Sequence, residues 1–192
     1  VNQAKNDGAT ALFMACANGK LEIARLLIEA GVAIDQGQDD GATPLFIACQ
    51  EGHVDIIRLL LEASAAVNQA NVAGVTPLYM ACQQGQAVPL LLEAGAAVNQ
   101  ADSEGYTPLT AACGQGHIDI AQLLLDAGAA FIQAVGGTPL FVACQEGQLE
   151  MVRLLLLNAG AGAVINQPRD NGATPLYMAC ERGDLEIARL LL

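Results

Sequence analysis

The tripeptide Thr-Pro-Leu recurs along this 192-residue chain at a nearly constant spacing. It occurs five times, and Thr10-Ala-Leu stands where a sixth copy would be. The threonines are Thr10, Thr43, Thr76, Thr107, Thr138 and Thr174. Differences between these positions give spacings of 33, 33, 31, 31 and 36 residues. Such a period is typical of a chain built from one small unit stacked many times, in which no unit can bury its apolar side alone.

Each unit predicts two helices joined by a tight turn, as the second copy shows. Thr43 suits a helix N-cap, and Pro44 suits the first helical position, where its missing N–H costs nothing. Apolar residues follow at helical spacing, and Gly52 can adopt the left-handed geometry that ends a helix. A second helix with one apolar side follows from Val54. The unit is therefore helix, turn, helix.

The motif Thr-Pro-Leu-x-x-Ala with a period near 33 resembles the ankyrin-repeat family over essentially the whole chain. The resemblance implies an all-α solenoid of helix-turn-helix repeats with projecting β-hairpin loops. Segments before the threonines, such as 67–74, suit these loops because they have polar tips and end in Gly. A single array of six repeats is expected, approximately 1–33, 34–66, 67–97, 98–130, 131–164 and 165–192.

The two ends of the sequence predict a piece of a longer array. Val1 lies inside a predicted hairpin, and the chain stops before the Glu-Ala-Gly that ends the second helix elsewhere. Terminal repeats normally have a polar outer face. In contrast, Ile187 and 190–192 are apolar, as in an interior repeat.

Four places depart from the repeat. Pro89 stands where a second helix should begin, so that helix is expected to start late, near Pro89. The loop that holds 135–137 is two residues short, and three extra residues around Leu157 and 161–163 predict a bulge or loop. Ser64 replaces the glycine that usually follows the second helix. A left-handed backbone there would cost about 1 kcal/mol relative to Gly.

Charge and hydropathy argue against several classes of partner. The formal net charge of −12 disfavours a nucleic-acid backbone or an anionic membrane and favours a basic partner. The alternative is that the acids only keep an array with an apolar interior soluble. No apolar run reaches the ~18 residues of a membrane span, and no signal peptide opens the chain.

The cysteines occupy the same slot in successive units: Cys16, Cys49, Cys82, Cys113, Cys144 and Cys180. Packed helices lie ~8–10 Å apart, whereas a disulfide needs Cα atoms about 4.4–6.8 Å apart, so equivalent cysteines cannot pair. Ligands spread along an axis do not converge on a zinc ion. The thiols are therefore interpreted as reduced core residues, which predicts a cytoplasmic, reducing location.

Catalysis needs a base, a nucleophile or metal, and an orienting group in one place. His53 and His117 are equivalent positions two repeats apart, so they are expected to order the turn between helices instead. Gly136-Gly137 is too short for a phosphate-binding loop and has no following Lys. The sequence predicts no enzyme, no catalytic residue, no cofactor and no metal site.

Acid–base pairs three residues apart recur on the second helices and are assigned to their solvated face. They are Glu22 with Arg25, Asp55 with Arg58, Glu150 with Arg153, and Glu186 with Arg189.

The slot where the ankyrin motif usually carries histidine is mostly aromatic here. The hydrogen bonds that this histidine makes in the family are therefore not expected, and the aromatics are expected to pack between repeats. The residues are Phe13, Phe46, Tyr79, Thr110, Phe141 and Tyr177.

The resemblance implies partner binding at the hairpin tips and the exposed ends of the first helices. Tyr106 is the first choice for a central contact, because it is an aromatic outside the packing slot. The alternative is that it only covers a neighbouring hairpin. The hairpin candidates are Asn6, Asp7, Asp39, Asp40, Val72, Ala73, Val75, Ser103, Glu104, Tyr106, Asp170 and Asn171, with Ala42 and Ala173 beside them. The helix-end candidates are Asn18, Gln50, Glu51, Gln83, Gln84, Gln115, Gln145, Glu146, Glu181 and Arg182.

The function predicted from these features is a monomeric protein–protein interaction module that binds its partner on a concave hairpin-and-helix surface. A preorganised surface of this kind loses little ordering entropy on association. The alternatives are a recruitment or regulatory arm of a larger enzyme or channel, and a structural spacer. An engineered origin of the array is a further alternative, although the irregular spacings are unlike those of an idealised design.

Overall fold

A computed structural model describes residues 3–131, 137–158 and 165–192, and their regular structure is entirely helical. No described helix is long and apolar enough to cross a membrane. The helices are α1 (Ala11–Ala17), α2 (Leu21–Glu29), α3 (Pro44–Glu51), α4 (Val54–Glu62), α5 (Pro77–Gln84), α6 (Val88–Glu93), α7 (Pro108–Gln115), α8 (Ile118–Asp126), α9 (Pro139–Gln145), α10 (Leu149–Asn158), α11 (Pro175–Arg182) and α12 (Leu185–Leu191).

The chain divides into two compact units, Val1–Ala97 and Val98–Leu192. In the first unit, α3 packs against both α1 and α5, and each of these helices packs against the second helix of its own pair. In the second unit, α9 packs against α7 and α11 in the same way, and α10 packs against α8 and α12. Each unit is therefore a stack of helix pairs, as the repeated motif predicts.

The first helix of each pair begins at the predicted threonine. The Phe46 N–H donates to Thr43 Oγ1 at 3.1 Å, and Pro44 occupies the first turn. The other five motif threonines make the same bond. In α7, the Thr107 N–H also donates to Thr110 Oγ1 at 2.7 Å, which completes a reciprocal capping box. Caps of this kind contribute about 1 kcal/mol each.

The turn between α3 and α4 has the predicted geometry, since Gly52 has a φ of 72°. The helix that follows has no side-chain cap at its start. It is held by packing, because Ile56, Ile57 and Leu60 are buried. This second helix therefore depends on the stack more than on its own termini.

The predicted late start near Pro89 is confirmed, and Ser64 has the backbone conformation for which a strain cost was considered. The helix α6 has only six residues and follows Ala87, which has a φ of 58°. Pro89 lies in its first turn, where no hydrogen bond is lost. Ser64 has a φ of 65°, so this serine does adopt the left-handed conformation.

The other two irregular places are only partly described. The expected short loop falls mostly on residues 132–136, and the expected extra loop on 159–164, both outside the described residues. Leu157 is helical rather than part of a loop, because α10 extends to Asn158.

The projecting loops are tight turns, and none of the described loops contains a β-strand. In the loop before α3, the Gln38 N–H donates to the Ala42 carbonyl at 3.0 Å and the Gly41 N–H to the Gln38 carbonyl at 2.9 Å. Gly41 has a φ of 82°, and a Cβ there would lie 3.2 Å from the backbone of Asn71 in the next loop. Successive loops of the first unit thus approach each other closely at glycine.

Five of the six cysteines are buried, and none of the six forms a disulfide. Burial raises the pKa of the Cys16 and Cys144 thiols to about 12, with Asp184 contributing a smaller repulsion at Cys144. It also raises the pKa of Cys49 and Cys113. These thiols are therefore neutral packing groups, as predicted.

Two residues in the last helix pair differ from the predicted burial. Cys180 is exposed and Tyr177 is 58% exposed, because among the described helices α11 packs mainly against α9 and α12, whereas α9 packs against a first helix on each side. Packing between helix pairs is confirmed for Phe13 and Phe46, which form a buried cluster with alanines in the first unit. Phe141 is buried in the second unit.

Candidate functional site

The loop tips expose most of the residues predicted to bind a partner. Val72 is the most exposed large apolar residue among them, at 77%. Its backbone N–H donates to the Asp40 carbonyl at 2.8 Å, so this tip is held beside the preceding one. The exposed tip residues are Asn6, Asp7, Asp39, Asp40, Val72, Ala73, Ser103, Glu104, Asp170 and Asn171.

Three of these tip side chains also shape their own loops. Asp7 Oδ1 accepts from the Ala9 N–H at 3.1 Å, and Asp40 Oδ1 accepts from the Ala42 N–H at 2.9 Å. In the same way, Asn171 Oδ1 accepts from the N–H of Ala173, two residues further along the chain. Such bonds stabilise a turn locally. The Ala9 N–H, helped by Lys5, also lowers the pKa of the Asp7 carboxyl.

Two further loops use a residue that the sequence analysis did not single out. Asn71 Oδ1 accepts from the N–H groups of Ala73 and Val75, both at 3.0 Å. Asp102 Oδ1 accepts from the N–H groups of Glu104 and Tyr106, both at 2.9 Å. In these loops Asn71 and Asp102 stabilise the turn, rather than the tip residues Ala73 and Glu104.

Val75 and Ala42, which the sequence places on the partner surface, are less accessible than the tip residues. Ala42 is only 4% exposed and belongs to the buried cluster of Phe13 and Phe46. Val75 is half-buried and packs against that cluster. The residue before the capping threonine faces the neighbouring helix pair here, so its side chain contributes to packing.

The ends of the first helices face solvent, and bonds along the helix hold some of their side chains. Asn18 Nδ2 donates to the Met14 carbonyl at 2.7 Å, and Gln50 Nε2 donates to Glu51 Oε1 at 3.1 Å. The surface that results is mainly amide and carboxylate. Its half-buried members are Gln50, Gln83 and Gln145. Its exposed members are Asn18, Glu51, Gln84, Gln115, Glu146, Glu181 and Arg182.

Tyr106 is half-buried and engaged inside the second unit. Arg169 Nη2 donates to the Tyr106 hydroxyl at 3.0 Å, and the Arg169 guanidinium carbon lies 5.9 Å from the centre of the Phe141 ring. A cation over an aromatic face adds a modest attraction. Tyr106 therefore links the loop before α7 to the loop before α11, two helix pairs further along the chain, and its role as a partner contact stays a prediction.

His53 connects two helix pairs of the first unit. Its Nε2 lies 3.3 Å from the Ala17 carbonyl oxygen at the end of α1. A Cβ at Gly19 would lie 2.8 Å from the imidazole ring, so the glycine makes room for it. The histidine thus contacts the turn of the preceding helix pair, as the sequence predicts.

Sequence reasoning missed a set of side chains that bridge consecutive pairs. Asn68 Oδ1 accepts from the Ala97 N–H at 2.7 Å, and its Nδ2 donates to the Gly95 carbonyl at 3.2 Å. Asn99 makes the equivalent bonds in the second unit, with Ala130 and Gly128. The recurring Val-Asn-Gln at 67–69 and 98–100 was the available indication.

The negative charge is concentrated in two of the predicted repeats. Residues 34–66 contain six acids and one base, a charge of −5, and residues 98–130 contain four acids and no base, a charge of −4. The other four repeats together carry the remaining −3. Within the described parts of the chain, no group of three or more His, Cys, Asp or Glu side chains could hold a metal ion.

Comparison with known proteins agrees with this architecture. The family model for ankyrin repeats (3 copies) matches residues 1–71, 65–135 and 130–192. The crystal structure of the human ASB11 ankyrin repeat domain is similar, with a TM-score of 0.81 and 33% sequence identity. The match covers 95% of this chain and 82% of that one. The curated proteins contain no match. The family match and the stacked helix pairs together show that the chain belongs to the ankyrin-repeat family.

Proposed function

We propose that this chain binds another protein through its loop tips and the ends of its first helices, and that the partner surface is basic. Ankyrin repeats are in general protein–protein interaction modules. The observation that carries the proposal is a set of exposed tip residues whose side chains take no part in the loop turns. They are Asp39, Val72, Glu104 and Asp170.

The chemistry of these tips suits a segment that combines positive charge with an apolar side chain. Asp39 and Val72 are on adjacent loops of the first unit, and the tip backbones are hydrogen-bonded through Asp40. An exposed valine offers apolar area, and carboxylates near it attract Lys or Arg and repel acidic competitors. The six reduced cysteines favour a reducing compartment, so the cytoplasm is the proposed location.

Affinity capture with the intact chain tests the proposal. The tip variant combines Asp39→Asn, Glu104→Gln and Asp170→Asn, which removes three negative charges from three different loops. A matched variant combines Glu62→Gln, Glu93→Gln and Asp126→Asn, which removes the same charge from the ends of the second helices. Each bait is used at low and at high salt, and the captured proteins are quantified by mass spectrometry.

The expected result is a protein that is retained by the wild type and by the second-helix variant but lost by the tip variant. High salt should release it from the wild type, because exposed charges are screened. Equal capture by all three baits would contradict the proposal. Equal loss of capture by both variants would also contradict it, because the loss would then follow from the change in net charge alone.

A further inference from the structure

The outer face of α10 departs from the other long second helices at one position. The ninth residue of the helix is an acid in α2, α4 and α8, namely Glu29, Glu62 and Asp126. In α10 the ninth residue is Leu157. Because that position faces solvent in every one of these helices, the stack itself does not require a leucine there.

Leu157 forms an apolar patch with its neighbours in the second unit. It is 84% exposed and borders an open groove of about 280 Å³. The groove lies between α10 and α12 and is lined by Arg153, Leu156, Leu157 and Leu190. A protruding leucine beside an apolar groove is complementary to a second copy of itself, since each leucine can enter the other groove.

The patch is also electrically neutral on a strongly acidic chain. Arg153 Nε lies 3.3 Å from Glu150 Oε1, and Arg189 Nη1 lies 2.8 Å from Glu186 Oε1. The opposite charges within each pair cancel, whereas the whole chain has a formal net charge of −12. Two copies approaching through other acidic faces would repel each other, but they can meet here at little electrostatic cost.

We propose that the face formed by Arg153, Leu156, Leu157 and Leu190 is a two-fold contact between two copies of this chain. The contact lies on second helices, so it leaves the loop tips of each copy available to a partner. It is independent of the proposed function, and it departs from the expectation of a monomeric array. Its small apolar area predicts a weak dimer that forms at high protein concentration.

Sedimentation velocity on the full chain, over a concentration series that reaches the millimolar range, measures the association. Leu157→Glu should weaken it by about tenfold or more, because a charge replaces the leucine that the dimer contact would bury. The variant restores the acid found in the other second helices, so the fold is retained. The matched control is Leu185→Glu, which changes a leucine that is 60% exposed on α12 but does not line the groove.

A charge exchange tests the two-fold geometry. Leu157→Glu and Leu157→Lys should each be monomeric alone, and an equimolar mixture should form a heterodimer, because the two positions face each other across the axis. A wild-type chain that stays monomeric throughout overturns the proposal. The proposal also fails if Leu157→Glu associates like the wild type, if Leu185→Glu weakens association equally, or if the mixture forms no heterodimer.

Discussion

Ser64, like Ala87 among the described residues, is a non-glycine residue with a left-handed backbone. Its φ of 65° matches those of Gly31 and Gly95, which end the neighbouring second helices at 75° and 82°. A left-handed conformation costs a residue with a Cβ about 1–2 kcal/mol, and part of this is offset because Gly loses more entropy on folding.

We therefore expect Ser64→Gly to raise the free energy of unfolding by up to about 1 kcal/mol. Urea unfolding followed by circular dichroism measures the change. Ser103→Gly is the matched control, since Ser103 lies on an exposed loop with an ordinary backbone. That substitution should be neutral or slightly destabilising. An unchanged midpoint for Ser64→Gly would show that the serine is unstrained.

At the scale of the element, the bridges between consecutive pairs explain how one pair is fixed to the next. Asp35 occupies the position of Asn68 in the preceding pair, and its Oδ1 accepts from the Ala66 N–H at 2.8 Å. A carboxylate cannot donate, so the bond that Asn68 gives to Gly95 has no counterpart from Asp35 to the Ser64 carbonyl.

Asp35→Asn should therefore supply the missing donor and stabilise the chain by about 0.5–1.5 kcal/mol. The converse change, Asn68→Asp, should destabilise it by a similar amount. Thermal unfolding of both variants beside the wild type checks the signs. If both substitutions move the midpoint in the same direction, the amide bridge is not the cause.

The contact of Tyr106 with Arg169 gives a second element-scale prediction. Tyr106→Phe removes the hydroxyl acceptor and should lower the free energy of unfolding by about 1 kcal/mol, because the pair is only partly buried. Tyr177→Phe is the control, since Tyr177 is 58% exposed, and it should stay within about 0.5 kcal/mol of the wild type.

A double-mutant cycle with Arg169→Gln separates this contact from other effects of the two substitutions. The losses of Tyr106→Phe and Arg169→Gln should be less than additive when combined. Strict additivity would mean that the hydroxyl and the guanidinium do not stabilise each other.

These elements also show what the sequence could predict. Threonine, proline and glycine act on their own few residues, so the starts of the first helices and the late start at Pro89 were predictable, and Ser64 could be singled out as a replaced glycine. The bridges from Asn68 and Asn99 span about thirty residues of sequence, and only the stacked geometry shows where those amides reach. The partial burial of Val75 against the buried cluster of the first unit was not predictable, because register alone does not tell which side of a loop faces the next pair.

At the scale of the whole molecule, the repeated residues account for folding, and we propose that the varying ones account for recognition. Threonine, proline, cysteine and leucine recur because each helix pair must bury the same apolar side against its neighbours. The tips around Asp39, Val72, Glu104 and Asp170 vary from loop to loop and are exposed. This division predicts that tip substitutions change binding and leave stability almost unaltered.

The most direct test of this claim is the dissociation constant of the captured partner for the variant Asp39→Asn, Glu104→Gln, Asp170→Asn. Calorimetric titration at constant salt should give a value at least about tenfold weaker than for the wild type, with an unchanged unfolding midpoint. The variant Glu62→Gln, Glu93→Gln, Asp126→Asn should bind like the wild type. Equal affinities for the tip variant and the wild type would contradict the account.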